Sequence, residues 1–274
     1  MAPHRASSAP RLGQHFLTQA SILERLAEAA CPSPEPLVVE IGPGRGALTE
    51  FLLARAGRVV AIEIDPHLAE SLRHRFRNAP GLTVLQADVL QTGLAQWGPA
   101  VVAGNLPYYI TSPILERIFS LGPLLRRAIV LTQKEVADRL AAHPGARRYG
   151  YLTVLANLFT QPELLFRVPP CAFSPPPKVD SAAVRLTPRP PLAALPDPAP
   201  FLQFAGRAFR HKRKTLRNNL EPFYGRQAAL WPEARLRAEQ LSLEQLLDLY
   251  RRAAPSTTAT DSGRLDAPGG YSMT

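Results

Sequence analysis

The chain has 274 residues, and its 32 Lys and Arg against 22 Asp and Glu give a formal net charge of +10. This length predicts one large domain, or one with a small companion, and it is sufficient for a buried core. Only two cysteines occur, which excludes a disulfide scaffold or cysteine-rich zinc cluster and indicates a reducing, cytoplasmic location. The positive charge favours a polyanionic partner, of which nucleic acid is the commonest.

The chain termini and apolar runs do not predict a membrane protein. The uncharged segment 89–115 is long enough to span a bilayer but contains three prolines and several amides, which a lipid-facing helix does not tolerate well. Residues 1–11 lack the apolar core of a secretory signal, so we expect a disordered start. Residues 255–274 are rich in Ser, Thr, Gly and Pro, so we expect a disordered tail.

Helical and strand patterns alternate through the first two thirds of the chain. Ser21 and Glu24 are spaced as a capping box at the start of the first helix. Such alternation predicts an α/β fold, with a parallel sheet and helices on both faces. The patterns predict helices at 22–30, 47–56, 66–76 and 113–119, and strands at 37–41, 59–64, 82–86, 99–103 and 128–132.

A proline-rich segment then divides the chain. Six of the thirteen residues from 188 to 200 are proline, which indicates a stiff connector. We therefore predict a first domain at 12–190, a linker at 191–200 and a small all-helical domain at 201–254. Its main helices are expected at 201–220 and at 243–253, the second capped by Ser242.

Three features follow successive predicted strands. The sequence Gly-Pro-Gly-Arg-Gly at 42–46 matches neither the dinucleotide fingerprint nor the Walker motif, but it lets the backbone approach a ligand closely. Glu63 could accept both hydroxyls of a ribose, and Asp88 could accept from an exocyclic amine. Because the carboxyl ends of parallel strands meet at one edge, these residues predict an adenosine site. Alternatively, Asp88 is an ordinary turn acid, and nearby Asp65 is as well explained as a helix cap.

The sequence Asn-Leu-Pro-Tyr at 105–108 follows the fourth strand. The Asn105 side-chain oxygen and the Leu106 carbonyl could accept both hydrogens of an aromatic amine and draw its nitrogen toward a nucleophilic geometry. Pro107 favours an extended Leu106, and Tyr108 offers a stacking face worth roughly 1–3 kcal/mol per base. The alternative is a proline turn with a buried tyrosine.

Taken together, these motifs resemble the rRNA adenine N6-dimethyltransferase family, and in particular its members that act on small-subunit (16S) rRNA. The resemblance extends from about residue 12 to about residue 253. It rests on motifs at 12–17, 39–49, 105–108, 173–181 and 213–218, in the order that the family has them.

The resemblance implies a Rossmann-like class I methyltransferase that uses S-adenosylmethionine. The implied reaction is N6,N6-dimethylation of two adjacent adenosines near the 3′ end of 16S rRNA, in an assembling small subunit. Phe173 would stack on the target base opposite Tyr108, and His15 stands where the family usually has Asn. The cofactor contacts implied are His15, Leu17, Gly42, Gly44, Glu63, Asp88, Val89 and Asn105.

A dense run of cations at 207–217 predicts an RNA-binding surface. A charged helix face is the usual explanation of such runs, but this one contains no acid. Phosphate contacts of this kind make affinity fall steeply with salt. We expect a monomer without a metal. The residues assigned to RNA are Arg207, Arg210, Lys212, Arg213, Lys214 and Arg217, with Arg147, Arg148 and Lys178 as an extension of the track.

Two other functions remain open at this point. A large-subunit rRNA methyltransferase of the macrolide-resistance type would share the fold, although the motifs at 175–181 and 213–218 favour the small subunit. A non-catalytic assembly factor would not need the motif at 105–108. A DNA adenine methyltransferase is disfavoured because its motif commonly begins with Asp where this chain has Asn105.

Overall fold

The computed structural model describes residues 14–190, 195 and 197–253. The expected disordered start at 1–11 and tail at 255–274, and half of the predicted linker at 191–200, lie outside these residues. The helices are α1 (Ala20–Ala30), α2 (Ala47–Leu53), α3 (Pro66–Arg75), α4 (Thr111–Phe119), α5 (Lys134–Leu140), α6 (Tyr151–Phe159), α7 (Ala199–Ala208), α8 (Leu216–Tyr224) and α9 (Leu243–Ala253). The strands are β1 (Phe16–Leu17), β2 (Glu35–Ile41), β3 (Ala56–Glu63), β4 (Leu82–Gln86), β5 (Ala100–Asn105), β6 (Leu125–Gln133), β7 (Thr160–Val168), β8 (Phe173–Ser174) and β9 (Ser181–Pro188).

Seven strands form one sheet in the order β4-β3-β2-β5-β6-β9-β7. Strands β2 to β6 run parallel, and β9 lies antiparallel between β6 and β7. One apolar cluster, including Ile114 and Leu155, covers one face, and another, including Leu26 and Leu52, covers the other. The predicted α/β fold with helices on both faces is therefore confirmed, and the antiparallel edge is a feature that the sequence patterns did not predict.

Two helix starts differ in how they are capped. The carbonyl of Gln19 accepts from the backbone of Ile22 and Leu23, so α1 begins before Ser21 and the predicted capping box is wrong. The carboxylate of Asp65 accepts from two backbone N–H groups of α3, which makes this residue a helix cap.

The C-terminal region is helical, but the single helix predicted at 201–220 is two, α7 and α8, separated by residues 209–215. Ser242 accepts from the backbone of Gln245 at 3.2 Å, so the predicted cap of α9 is confirmed. A third apolar cluster joins Phe201 and Phe204 of α7 to Val154 and Leu158 of α6. The helical region thus shares a core with the sheet region, and the domain division at 190 stays a prediction.

Within the part of the chain that the structure describes, no helix is long and apolar enough to cross a membrane. In the same residues, no group of three or more His, Cys, Asp or Glu side chains is arranged to hold a metal ion.

Candidate active site

A cavity of about 370 Å³ opens at the carboxyl ends of the parallel strands. Its walls come from the glycine turn after β2, the acidic ends of β3 and β4, the segment 105–110 after β5, and the N-terminal residues 14–18. Ligands of open α/β sheets bind at this edge. The structure therefore brings together, around one cavity, the three features that the sequence placed after successive strands.

The glycine turn leaves room that a side chain would fill. Gly42 and Gly44 have positive φ angles of 67° and 57°, a conformation that L side chains rarely adopt. A Cβ on Gly44 would lie 2.9 Å from Cε1 of Phe16, so β1 lies directly over this turn. At the end of β5, a Cβ on Gly104 would lie 2.4 Å from the carbonyl oxygen of Ile41, so only glycine allows this approach of β5 to β2.

The carboxylate of Glu63 is buried and held by the backbone. One oxygen accepts from the N–H of Gly44 and the other from the N–H of Asp65, each at 3.0 Å. Burial raises the pKa of Glu63, while the two backbone hydrogen bonds counteract that rise. Each carboxylate oxygen has a further lone pair, so both can accept from a vicinal diol as the sequence predicted.

A second buried acid, Glu40, lines the same cavity and was not among the predicted site residues. Its Oε2 accepts from the hydroxyl of Thr49 at 2.6 Å. Burial, and to a lesser degree the charge of Glu63, raises the pKa of Glu40 to about 8, although the Thr49 hydrogen bond opposes this. Its position beside the glycine turn was the only signal in the sequence that could have identified it.

Asp88 and Val89 line the cavity beyond Glu63. One Asp88 oxygen accepts from the N–H of Leu90 at 2.8 Å, so this residue does shape the turn after β4. A carboxylate has a second oxygen, which leaves Asp88 able to accept from a ligand as well. Tyr109, whose side chain is 59% exposed, lies at the mouth of the same cavity and was not predicted.

The side chain of Asn105 has a hydrogen-bond acceptor that no described residue uses. Its Nδ2 donates to the carbonyl oxygen of His15 at 2.9 Å. Its Oδ1 is buried and, among the described residues, has no hydrogen-bond partner. Buried polar atoms are almost always hydrogen-bonded, so this oxygen marks a position where a ligand donor is expected.

The rest of the motif at 105–108 holds this geometry in place. The N–H of Leu106 donates to Leu131 of β6 at 2.9 Å, and the Leu106 side chain is buried. The hydroxyl of Tyr108 lies 2.5 Å from that of Ser181 at the start of β9, and burial raises the pKa of Tyr108. Pro107, Tyr108 and Leu106 all line the cavity.

The N-terminal strand β1 closes one side of the cavity. It pairs antiparallel with β8, with Phe16 opposite Ser174 and Leu17 opposite Phe173. His15 and Leu17, which the family resemblance implies as cofactor contacts, both line the cavity. Phe173 does not line it, because its ring is only 3% exposed and packs in the core cluster of α1. The stacking role predicted for Phe173 stays a prediction.

Four of the nine cations assigned to RNA lie in the connection between α7 and α8: Arg210, Lys212, Arg213 and Lys214. The connection is shaped by Asn219, a buried residue whose Nδ2 donates to the carbonyls of Ala208 and His211 at 2.8 and 3.1 Å and whose Oδ1 accepts from the N–H of His211. Lys212 donates to the carbonyl of Arg147, which joins the connection to the segment before α6. Together these contacts fix the backbone of the connection that carries the cations.

Not all of these cations are equally available. Arg207 stacks on Phe223, Arg217 pairs with Glu221, and Arg148 pairs with two acids of α5. Over residues 14–190, 195 and 197–253, the cations that form no ion pair include Lys178, Arg210, Arg213 and Lys214, all of them exposed.

The sheet order, its one antiparallel strand beside the edge and the site at the carboxyl end define a class I methyltransferase fold. The particular family follows from comparison with known proteins. The family model described as ribosomal RNA adenine dimethylase matches residues 6–254. The chain therefore belongs to the ribosomal RNA adenine dimethylase family.

Relatives and solved structures agree with this assignment. The chain is 45% identical to the ribosomal RNA small subunit methyltransferase A of Acidobacterium capsulatum, across 88% of this chain and 90% of the relative. It is 43% identical to the same-named protein of Koribacter versatilis, across 88% and 92%. Its fold is similar to that of a dimethyladenosine transferase from Plasmodium falciparum, with a TM-score of 0.73 and 27% identity. The match covers 87% of this chain and 98% of that structure. It is also similar to the structure of the 23S rRNA methyltransferase ErmE, with a TM-score of 0.69 and 31% identity. That match covers 87% of this chain and 99% of that structure.

Proposed function

We propose that this chain transfers methyl groups to the N6 atoms of two adjacent adenosines near the 3′ end of small-subunit rRNA. The observation that carries the proposal is the buried Oδ1 of Asn105 at the end of β5, which has no partner among the described residues and lies in a cavity that Glu63 and Asp88 also line. Relatives at 43–45% identity are named small subunit methyltransferases, which supports the choice of rRNA.

The methyl donor is S-adenosylmethionine, which when bound supplies an electrophilic methyl group on a sulfonium sulfur that leaves as a thioether. The residues present fit such a molecule. Glu63 would hold the ribose hydroxyls, Asp88 and Val89 would surround the adenine, and the turn containing Gly42 and Gly44 would accommodate the methionine part. The apolar cover from Leu17 would keep water from this part of the cavity.

The chain's own contribution to the chemistry lies at Asn105 and Leu106. An adenine amine is a poor nucleophile because its lone pair is delocalised into the ring. The Asn105 Oδ1 and the Leu106 carbonyl would each accept one amine hydrogen and thereby draw the nitrogen toward a tetrahedral geometry. No described residue hydrogen-bonds to the Asn105 oxygen, so accepting from the amine satisfies a buried acceptor and displaces none of the described hydrogen bonds.

Tyr108 would position the target base. Its ring lines the cavity next to Asn105, and the contact with Ser181 fixes its hydroxyl end. Phe173 would form the opposite wall only if its ring, which is buried in the core cluster of α1, became accessible. Moving an adenine out of its stack into such a site costs a few kcal/mol, which contacts elsewhere on the RNA must offset.

Those contacts come from the cations around the α7–α8 connection. Arg210, Arg213 and Lys214 would bind phosphates directly, as would the exposed Lys178 between β8 and β9. The physiological substrate would be an assembling small subunit in the cytoplasm, and the protein would act as a monomer.

A second candidate is methylation of one adenosine in large-subunit rRNA. The observation that favours it is the similarity to the 23S rRNA methyltransferase ErmE at TM-score 0.69 and 31% identity. The relatives named for the small subunit are more similar in sequence, at 45% and 43%.

The test is methylation with labelled S-adenosylmethionine of undermethylated small subunits, with large subunits in parallel, followed by digestion of the RNA to nucleosides. Label in N6,N6-dimethyladenosine from small subunits alone is the expected result. Label from large subunits would establish the second candidate instead. Binding of RNA without label on either particle would mean that the protein acts as an assembly factor.

A further inference from the structure

The side chain of His15, which lines the cavity, contacts residues from two other segments of the chain. Its Nδ1 lies 2.8 Å from the carbonyl oxygen of Pro175, just after β8. Because a carbonyl oxygen can only accept, Nδ1 must carry the proton in this contact. The imidazole ring also faces the ring of Tyr108, with 5.8 Å between centroids and 32° between planes. Tyr108 is the residue on which the target base would stack, and Pro175 directly follows β8, which contains Phe173.

The main chain of His15 reaches the reacting centre. Its carbonyl oxygen accepts from Nδ2 of Asn105 at 2.9 Å. Since this carbonyl has no hydrogen to donate, it selects the amide orientation in which Nδ2 faces β1 and Oδ1 faces the cavity. In the opposite orientation, Oδ1 would face the carbonyl and the target amine would meet another donor. The position of residue 15 therefore decides whether Asn105 can accept from the amine.

We propose that His15 is a positioning residue for the target adenine, whose imidazole ties the main chain of residue 15 to Pro175 and Tyr108 and so holds the Asn105 amide in its accepting orientation. This inference rests on the proposed function and deepens it. It assigns His15 to the target side, whereas the family resemblance implies a contact with the cofactor.

Three substitutions separate the two contacts of the imidazole. His15→Asn keeps a nitrogen donor the same number of bonds from Cα as Nδ1, and it removes the ring that faces Tyr108. His15→Phe keeps a ring and removes the donor to Pro175. His15→Ala removes both, while every variant retains the main-chain carbonyl. Gln19→Ala is the matched control, because Gln19 is exposed, lies four residues away and is not part of the cavity wall.

The measurements are the single-turnover methylation rate, KM for the ribosomal particle, and the dissociation constant of S-adenosylhomocysteine by calorimetry. We expect His15→Ala to lower the rate by about 10- to 100-fold, as small misplacements of reacting groups do, with cofactor affinity within about twofold of the parent. His15→Asn should recover most of the rate, and His15→Phe should not. The thermal midpoint of each variant verifies that it is folded at the assay temperature.

Several results would overturn this assignment. Loss of cofactor affinity in proportion to the rate would make His15 a cofactor contact, and an unchanged rate in His15→Ala would leave it without a role. Failure of His15→Asn to recover more rate than His15→Phe would remove the Pro175 contact from the argument. If His15→Ala does not fold, the comparison of the Asn and Phe variants decides alone. The assays use whichever ribosomal particle the parent protein methylates, so an error in the proposed rRNA target is seen in the parent and does not affect the comparison.

Discussion

The cavity at the sheet edge and the connection between α7 and α8 are built in opposite ways. At the cavity, polar atoms are buried and oriented one by one, as in the two backbone hydrogen bonds to Glu63 and the single one to Asn105. At the connection, Arg210, Arg213 and Lys214 are exposed, and one buried side chain, Asn219, sets the course of the backbone.

This difference teaches where each kind of function is sensitive. Chemistry at Asn105 depends on a single oxygen in a low-dielectric site, where an unsatisfied or misplaced group has a large effect. Phosphate binding depends on summed charge near the surface, where each cation contributes a similar increment and salt weakens them all. Single substitutions should therefore be severe in the cavity and gradual at the connection.

The largest effect is expected for Asn105→Ala. Removing the free acceptor should lower the methylation rate by at least about 100-fold, the range found when one preorganised polar group is removed from a catalytic site. Cofactor affinity should stay largely intact because Glu63 and the glycine turn are unchanged. Single-turnover assays and calorimetry with S-adenosylhomocysteine measure the two quantities. A rate near that of the parent protein would refute the role of Asn105.

Reversing three charges at the connection should have the next largest effect. The variant Arg210→Glu, Arg213→Glu, Lys214→Glu should weaken binding to small subunits. It should also make the slope of log affinity against log salt concentration less steep, by about one unit per lost phosphate contact. Titrations at several salt concentrations measure this slope.

The control for this variant is a second triple reversal, of three exposed residues in the β3–α3 region toward the β4 edge of the sheet: Arg58 on β3, Arg73 on α3 and Arg77 just after α3. It changes the net charge by the same amount. Equal changes of slope in the two variants would show that the RNA responds to overall charge and that the connection is not its footprint.

Asn219→Ala addresses the one buried residue of the connection. Three hydrogen bonds are lost, which leaves the carbonyls of Ala208 and His211 and one N–H without their partner, so we expect the free energy of unfolding to fall by about 1–3 kcal/mol. RNA affinity should fall with it, although no charge is removed. Asn218→Ala, at an exposed neighbouring position, is the control. Parent-like RNA affinity in a folded Asn219→Ala would mean that only charge matters here.

The same contrast explains what the sequence could predict. Glu63, Asp88 and Asn105 were predictable because each comes at the end of a strand in an alternating pattern, and the parallel sheet places such ends together. The cap at Asp65 was correctly weighed as an alternative, because Asp before Pro at a helix start is a local signal.

Contacts between distant segments were not predictable in this way. Pairing of β1 with β8 joins residues far apart in sequence, and nothing local indicates that it buries Phe173 or brings His15 to Asn105. The break between α7 and α8 was missed because its residues are compatible with a helix, and the hydrogen bonds of Asn219 that stabilise the turn depend on the folded backbone. Local residue propensity predicts helices and strands, whereas these contacts depend on the tertiary structure.

A pH-dependent effect is expected at Glu40, whose pKa is raised to about 8 from about 4.5 by burial. Between these two values the folded state binds a proton that the unfolded state has lost, so the free energy of unfolding falls as the pH rises toward 8. Glu40→Gln removes this titration. Its stability relative to the parent should rise between pH 5 and 8, by at most about 1.4 kcal/mol per pH unit, and level off above about pH 9. Denaturant unfolding at each pH measures the difference, with the exposed Glu24→Gln as the control. Parallel curves for Glu40→Gln and the parent would show that Glu40 is already ionised in the fold, and that the cavity is more polar than its walls indicate.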